Sequence, residues 1–248
     1  MQEVFFKDMG VVAYKDAWNF QEQLLQKNVQ AKTVAKAGLS YSSNGTPQEP
    51  GSEAVTGTRH HLLLCEHPPV YTLGKSGQAG NVLISEAALQ QKGIEYYQTN
   101  RGGDITFHGP GQIVGYPILD LEKYYTDIGK YLRNLEEVVM LTLQEYGIKG
   151  ERSPGETGVW IEPFVKGRER KICAMGVRCS RWVTMHGFAL NVTTSLDYFN
   201  YIIPCGIANK QVTSIEKELT FNPGTAAVKA TLKNCFEQVF DCTLISES

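Results

Sequence analysis

The 248-residue chain has no apolar run near the roughly 18 residues that a membrane span requires, and its first residues, Met1-Gln2-Glu3-Val4-Phe5-Phe6-Lys7-Asp8, carry no basic stretch followed by an apolar segment. A membrane protein and an exported one are therefore not expected. The chain also lacks an excess of charge of either sign. With 24 Lys and Arg against 26 Asp and Glu, its net charge of -2 offers neither a nucleic-acid surface nor a polybasic anchor. Six cysteines are present, but no CxxC pair and no tight framework links them, so reduced thiols in a cytoplasmic compartment are expected. Phosphate-loop glycines are missing too. Gly74-Lys75-Ser76 ends like a nucleotide-binding loop, but Pro69 stands where that motif needs glycine. Gly109-x-Gly111 fails as a dinucleotide fingerprint, because the third glycine position is Val114 and the pair enters a strand-like run. A metal site from His60, His61, Cys65 and His67 is disfavoured, since alternating strand positions point to opposite faces. No cofactor and no metal are expected.

What is present is a loop that folding alone does not require. Arg101 to Gly111 holds four glycines and a proline interleaved with Arg101, Asp104, Thr106 and His108, a composition that suits neither helix nor strand but lets backbone approach a ligand. It leads into the apolar, β-branched run Gln112 to Leu119, which reads as a buried strand. Three further positions carry chemistry. Cys205 sits in Pro204-Cys205-Gly206, where a turn presents its sulfur; Lys171 opens the apolar strand Lys171 to Val177; His186 precedes Gly187 in a second apolar run.

Around these, the periodicity places a short strand at Val4 to Phe6 and a helix from Tyr14 to Val29 whose aromatic stripe reads as core. From Ala37 to Thr58 the composition turns to Gly, Ser, Thr, Pro and Glu, which predicts a flexible surface insertion in an otherwise single domain spanning 1–248. Strands are expected at His61 to Glu66, Val70 to Leu73 and Ile94 to Gln98, and a short helix runs from the Ser85 cap through Lys92. The clearest helix is Asp127 to Tyr146. Short strands follow at Gly158 to Ile161, Lys171 to Val177, Trp182 to Met185 and Phe188 to Val192, and a last helix covers Gly224 to Phe240. Helices and strands mixed without strict alternation predict an α+β fold with a mixed, largely antiparallel sheet packed with helices.

Five ordered blocks resemble one family, the lipoyl(octanoyl) transferases. They are Glu66 to Gly74, Arg101 to Leu121, Lys171 to Gly176, His186 to Asn191 and Pro204-Cys205-Gly206. The resemblance implies the biotin/lipoate protein ligase fold, catalysis by Cys205 with Lys171 as its partner, and an acyl-binding surface. That surface comprises Arg101, Gly102, Gly103, Asp104, Ile105, Thr106, Phe107 and His108, then Ala174, Met175 and Gly176, then Gly187, Phe188 and Ala189, with His186 as a further candidate. It implies acyl carrier protein as octanoyl donor, and as acceptors the lipoyl domains of 2-oxoacid dehydrogenase complexes and the glycine cleavage H protein. A thiolate is the right nucleophile for a thioester, because the exchange costs little and the acyl-enzyme stays reactive toward an amine. A lysine beside it favours the thiolate and can serve as base for the incoming amine.

Competing readings are an ATP-dependent lipoate or biotin ligase, a cysteine hydrolase pairing Cys205 with His186 or His108, and a non-catalytic lipoyl-domain binder. The Pro204-Cys205-Gly206 motif speaks against the first, and retention of both Cys205 and Lys171 against the last. The basic residues Lys166, Arg168, Arg170, Arg178 and Arg181 are expected either to dock an acidic carrier or to form an ordinary solvated surface.

Overall fold

A computed structural model of the chain describes residues 1–37, 40–41, 47–48, 57–203 and 211–246. In chain order the strands and helices are β1 (Gln2–Val11), α1 (Tyr14–Ala37), the two-residue strands β2 (Ser40–Tyr41) and β3 (Pro47–Gln48), β4 (His60–Glu66), β5 (Val70–Leu73), α2 (Glu86–Gln91), β6 (Glu95–Gln98), β7 (Ile105–His108), β8 (Gln112–Ile118) and α3 (Ile128–Glu145). The second half adds β9 (Glu151–Ser153), β10 (Glu156–Ile161), β11 (Arg170–Ser180), β12 (Val183–Asn191), β13 (Gln211–Val212), α4 (Ile215–Leu219), α5 (Thr225–Phe240) and β14 (Cys242–Ser246).

The main sheet has the order β14-β1-β4-β8-β12-β11-β10-β9, with β13 also paired to β11. Pairings from β4 through β9 are antiparallel, whereas β14-β1, β1-β4 and β11-β13 are parallel, so the mixed α+β architecture is as expected. The period of two along β4 sorts its apolar residues to both faces. Leu62 and Leu64 join Ile113 and Leu190 under Leu135, Val139 and Phe236 of α3 and α5. Leu63 and Cys65 join Val114, Tyr116 and Ala189 under Ala17, Leu24 and Leu25 of α1. Pro68-Pro69 ends β4, and the chain departs into a small sheet ordered β6-β5-β7 with its own cluster of Tyr71, Leu73, Ile105 and Phe107. Among the described residues no helix is long and apolar enough to cross a membrane.

Several boundaries differ from the sequence reading. The helix α1 continues past Val29 because polar contacts take over from the apolar stripe. Lys32, nearly buried, bonds Asp120 at 2.6 Å and Glu122 at 3.0 Å. The expected insertion at 37–58 lies mostly outside the described residues; within it Ser40 pairs with Gln48 and Tyr41 with Pro47, and Thr58 donates to Asp120. The two strands expected around His186 are one, β12, in which His186 takes φ 57 without ending the strand. The short strand at Val4 to Phe6 runs for ten residues, because β4 on one side and β14 on the other both complete its hydrogen bonds.

Candidate active site

Two loops are laced together at one end of the sheet. The backbone N–H groups of Gly74, Lys75 and Ser76 donate to the carbonyls of Asp104, Arg101 and Gly103 at 3.2, 3.0 and 3.2 Å. Glycine is needed at position 74, because a Cβ there would stand 2.2 Å from the Gly103 oxygen. The loop then crosses β11: Gly102 N–H donates to the Val177 carbonyl at 2.9 Å, and a Cβ on Gly176 would meet the Gly102 oxygen at 2.6 Å. The glycines of both motifs thus serve one close backbone crossing.

Arg101 is buried, with its guanidinium turned inward. Its Nε and Nη2 donate to Thr72 Oγ1 at 3.3 and 3.0 Å, Nη2 also to the Thr72 carbonyl, and Nη1 to the Gly102 carbonyl at 3.0 Å. From Thr72 a directional chain begins. The Gln112 amide nitrogen donates to the Phe107 carbonyl and to Asn191 Oδ1, so its oxygen accepts from His108 Nδ1 at 2.8 Å, leaving His108 Nε2 to accept from Thr72 at 3.3 Å. Asn191 Nδ2 passes the chain to the Thr213 carbonyl, and Thr213 N–H donates to the Lys171 carbonyl at 3.0 Å. The Arg101 loop and the Lys171 strand are thereby joined through fully specified polar partners.

Burial keeps the histidines of this region neutral. It holds His108 well below its ordinary value, brings His67 down to about 4, and with help from Arg101 and Arg178 brings His186 to about 3. His67 Nδ1 donates to the Val12 carbonyl, so its Nε2 accepts the Tyr116 hydroxyl at 2.7 Å. Tyr14 stacks on His108 at 5.8 Å, and burial pushes its hydroxyl up to about 12. His186 Nε2 donates to Asn100 Oδ1 at 2.8 Å.

Tyr14, Arg101, His108, Gln112, Tyr116, His186 and Asn191 line a cavity of about 650 Å³. Every proposed binding residue lines it except Phe107: Arg101, Gly102, Gly103, Asp104, Ile105, Thr106, His108, Ala174, Met175, Gly176, Gly187, Phe188 and Ala189, with His186 and Lys171. Phe107 points the other way, stacked on Tyr198 at 4.5 Å, because alternation along β7 places it on the face opposite Thr106 and His108. Asp104, though at the wall, is tied to the fold by accepting from Asn81 Nδ2 and Ile105 N–H. Cys205 lies outside the described residues. The sequence reading missed Tyr14, Gln112, Asn191, Ile128 and Leu132 as cavity walls.

Lys171 lies in β11 opposite Trp160, with Val212 of β13 as its parallel partner. Each of the five described cysteines, Cys65, Cys173, Cys179, Cys235 and Cys242, is held above the ordinary thiol range by burial. Three of the five basic residues pair with carboxylates. Arg170 is held between Glu218 and Glu162, Arg168 also bonds Glu162, and Arg178 bonds Glu22 at 2.8 Å, so these three are not unpaired docking cations.

Residues 13–237 match the model of the lipoyl protein ligase A/B catalytic domain. Curated relatives include an octanoyltransferase of Christiangramia forsetii, 56% identical over 88% of this chain and 87% of that protein, and one of Flavobacterium psychrophilum, 52% identical over 96% and 97%. Among solved structures, a bipartite lipoate protein ligase described with its E2 lipoyl domain from Thermoplasma acidophilum superposes with a TM-score of 0.67 at 15% identity, covering 100% of this chain and 87% of that one. A lipoate-protein ligase A bound with ATP gives 0.64 at 13% identity, over 99% and 87%.

Proposed function

The chain belongs to the lipoyl protein ligase A/B catalytic-domain family and is an octanoyltransferase of protein lipoylation, and from that premise we propose that it works through a thioester on Cys205 assisted by Lys171. The observation that carries this reading is the return of the chain to Lys171. Gln211 and Val212, which follow Cys205 closely in the sequence, pair with Arg170 and Lys171 at the cavity wall. On its other side, Ile203 N–H donates to the Asn81 carbonyl at 2.9 Å, next to the Asp104 loop. The five described cysteines, kept as thiols by burial, do not compete for the role.

In the first half-reaction the Cys205 thiolate attacks the carbonyl of an octanoyl thioester carried by acyl carrier protein. The C–S bond to the carrier breaks as the bond to Cys205 forms, and the released thiolate takes a proton. In the second, a lysine amine of a lipoyl domain attacks the acyl-Cys205 carbonyl and passes its proton through Lys171. An amide forms and the cysteine leaves as thiolate. The acyl chain lies along Ile105, Val114, Met175, Phe188 and Leu132, which offer burial for its methylenes. The cytoplasm, where the carrier thiol and Cys205 stay reduced, is the compartment that suits the reaction.

Purified protein incubated with octanoyl-acyl carrier protein and a lipoyl domain, without ATP, should yield the octanoylated domain. A strict requirement for ATP would contradict the reading.

A further inference from the structure

Lys171 does not leave its strand into open space. Its stem passes over Gly158, where a Cβ would stand 3.6 Å from Lys171 Cε and 2.5 Å from the Cys173 carbonyl, and its ammonium lies 4.6 Å from the centroid of the Trp160 ring. Trp160 is the register partner of Lys171 across β10 and β11, and a β-bulge between Val159 and Trp160 sets this pairing. The indole is 2% exposed and cannot swing away without disturbing the core. The strand beneath is equally fixed. Gly158 has φ 116, a conformation that glycine alone adopts without strain, and its N–H donates to Glu136 at 3.0 Å. That carboxylate is itself fully buried and held by Arg133 and Arg152.

We propose that Trp160 is a positioning residue for acyl transfer, its ring face holding the Lys171 ammonium at the cavity wall, with Glu136 and Gly158 fixing the strand on which it stands. The inference rests on the reading of Lys171 as the group that handles the amine proton. A quadrupole beneath the ammonium attracts the cation without a hydrogen bond of its own, so it restrains the side chain without neutralising its charge. A carboxylate in the same place would clamp the ammonium and cancel its charge. An aliphatic side chain would supply no such attraction.

The test replaces Trp160 by Leu, by Phe, and by tryptophans carrying increasing numbers of ring fluorines, which withdraw density from the ring face with little change of shape. Transfer from octanoyl-acyl carrier protein to a lipoyl domain is measured without ATP. Trp160→Leu should lower kcat by about 3- to 30-fold with the KM for the carrier unchanged. Trp160→Phe should recover most of the loss, and kcat should fall stepwise with fluorination. In a Lys171→Ala background the same changes should have no further effect. Equal rates across the fluorinated series, or a loss confined to KM, would overturn the inference, and the series answers even where Trp160→Leu fails to fold. The two readings separate cleanly: an active Lys171→Ala enzyme would remove the role of Lys171, whereas an inactive one with a flat fluorine series would remove only that of Trp160.

Discussion

Lys171 and Val212 are partners in a parallel strand pair, and Thr213 N–H, one residue on, donates to the Lys171 carbonyl at 3.0 Å. A short strand of two residues, β13, therefore ties the Lys171 strand to Asn191, Gln112, His108 and Thr72. The Lys171 strand and the Arg101 loop share one hydrogen-bonded frame.

Replacing Lys171 tests its chemistry apart from its packing. Lys171→Ala should slow octanoyl transfer by roughly 10²–10⁴-fold with its circular dichroism unchanged. Lys171→Arg should fail as well, because guanidinium keeps its proton. A Lys171→Arg enzyme with native kcat would show that the position needs only positive charge.

Glu136 should be the costliest single carboxylate to remove. It is 0% exposed, and its truncation to Ala would leave Gly158 N–H and Arg152 Nε without their acceptor. Breaking such a buried arrangement costs about 3–5 kcal/mol. Urea unfolding of Glu136→Ala should show a midpoint lowered accordingly, and a loss below about 1 kcal/mol would contradict the assignment.

Acid should destabilise the fold well before the carboxylates titrate. His60 and His67 are lowered by burial to about 4 and His186 to about 3, whereas the unfolded chain titrates its histidines near their ordinary value of 6.5. The unfolded state thus binds more protons below that value. The stability from keeping these rings neutral is fully present above pH 6.5 and is lost as pH falls toward 4. At pH 5 each contributes a loss of at most about 2 kcal/mol relative to pH 7. Equal urea midpoints at pH 7 and pH 5 would contradict this.

The acyl site should discriminate by chain length. Octanoyl and butanoyl differ by four methylenes, worth about 0.8 kcal/mol each when buried, so kcat/KM should favour octanoyl by roughly 10²-fold. Equal use of both carriers would mean that the apolar wall of Phe188, Met175 and Leu132 does not hold the chain.

The Arg101 loop was legible in the sequence as glycines interleaved with Arg101, Thr106 and His108, and the cavity gathers those residues. Phe107 lies off the cavity wall because a motif marks a stretch, whereas the pleat sends alternate residues to opposite faces. Tyr14 carried no signal apart from the apolar stripe of α1, and only the fold stacks it on His108. The last strand, Cys242–Ser246, is too short to announce itself. Its register with Gln2 to Phe6 joins the two ends of the chain, a relation that no local pattern encodes. His186 broke the strand pattern on paper, yet β12 carries it through in the left-handed region, its N–H held by Gln21 at 2.9 Å.

The most direct test of the thioester mechanism uses octanoyl-acyl carrier protein alone, with no acceptor. Mass spectrometry should find one octanoyl adduct, on the peptide containing Cys205, that hydroxylamine removes and that Cys205→Ser abolishes. An adduct on Cys173 or Cys179, or full transfer activity in Cys205→Ser, would contradict it.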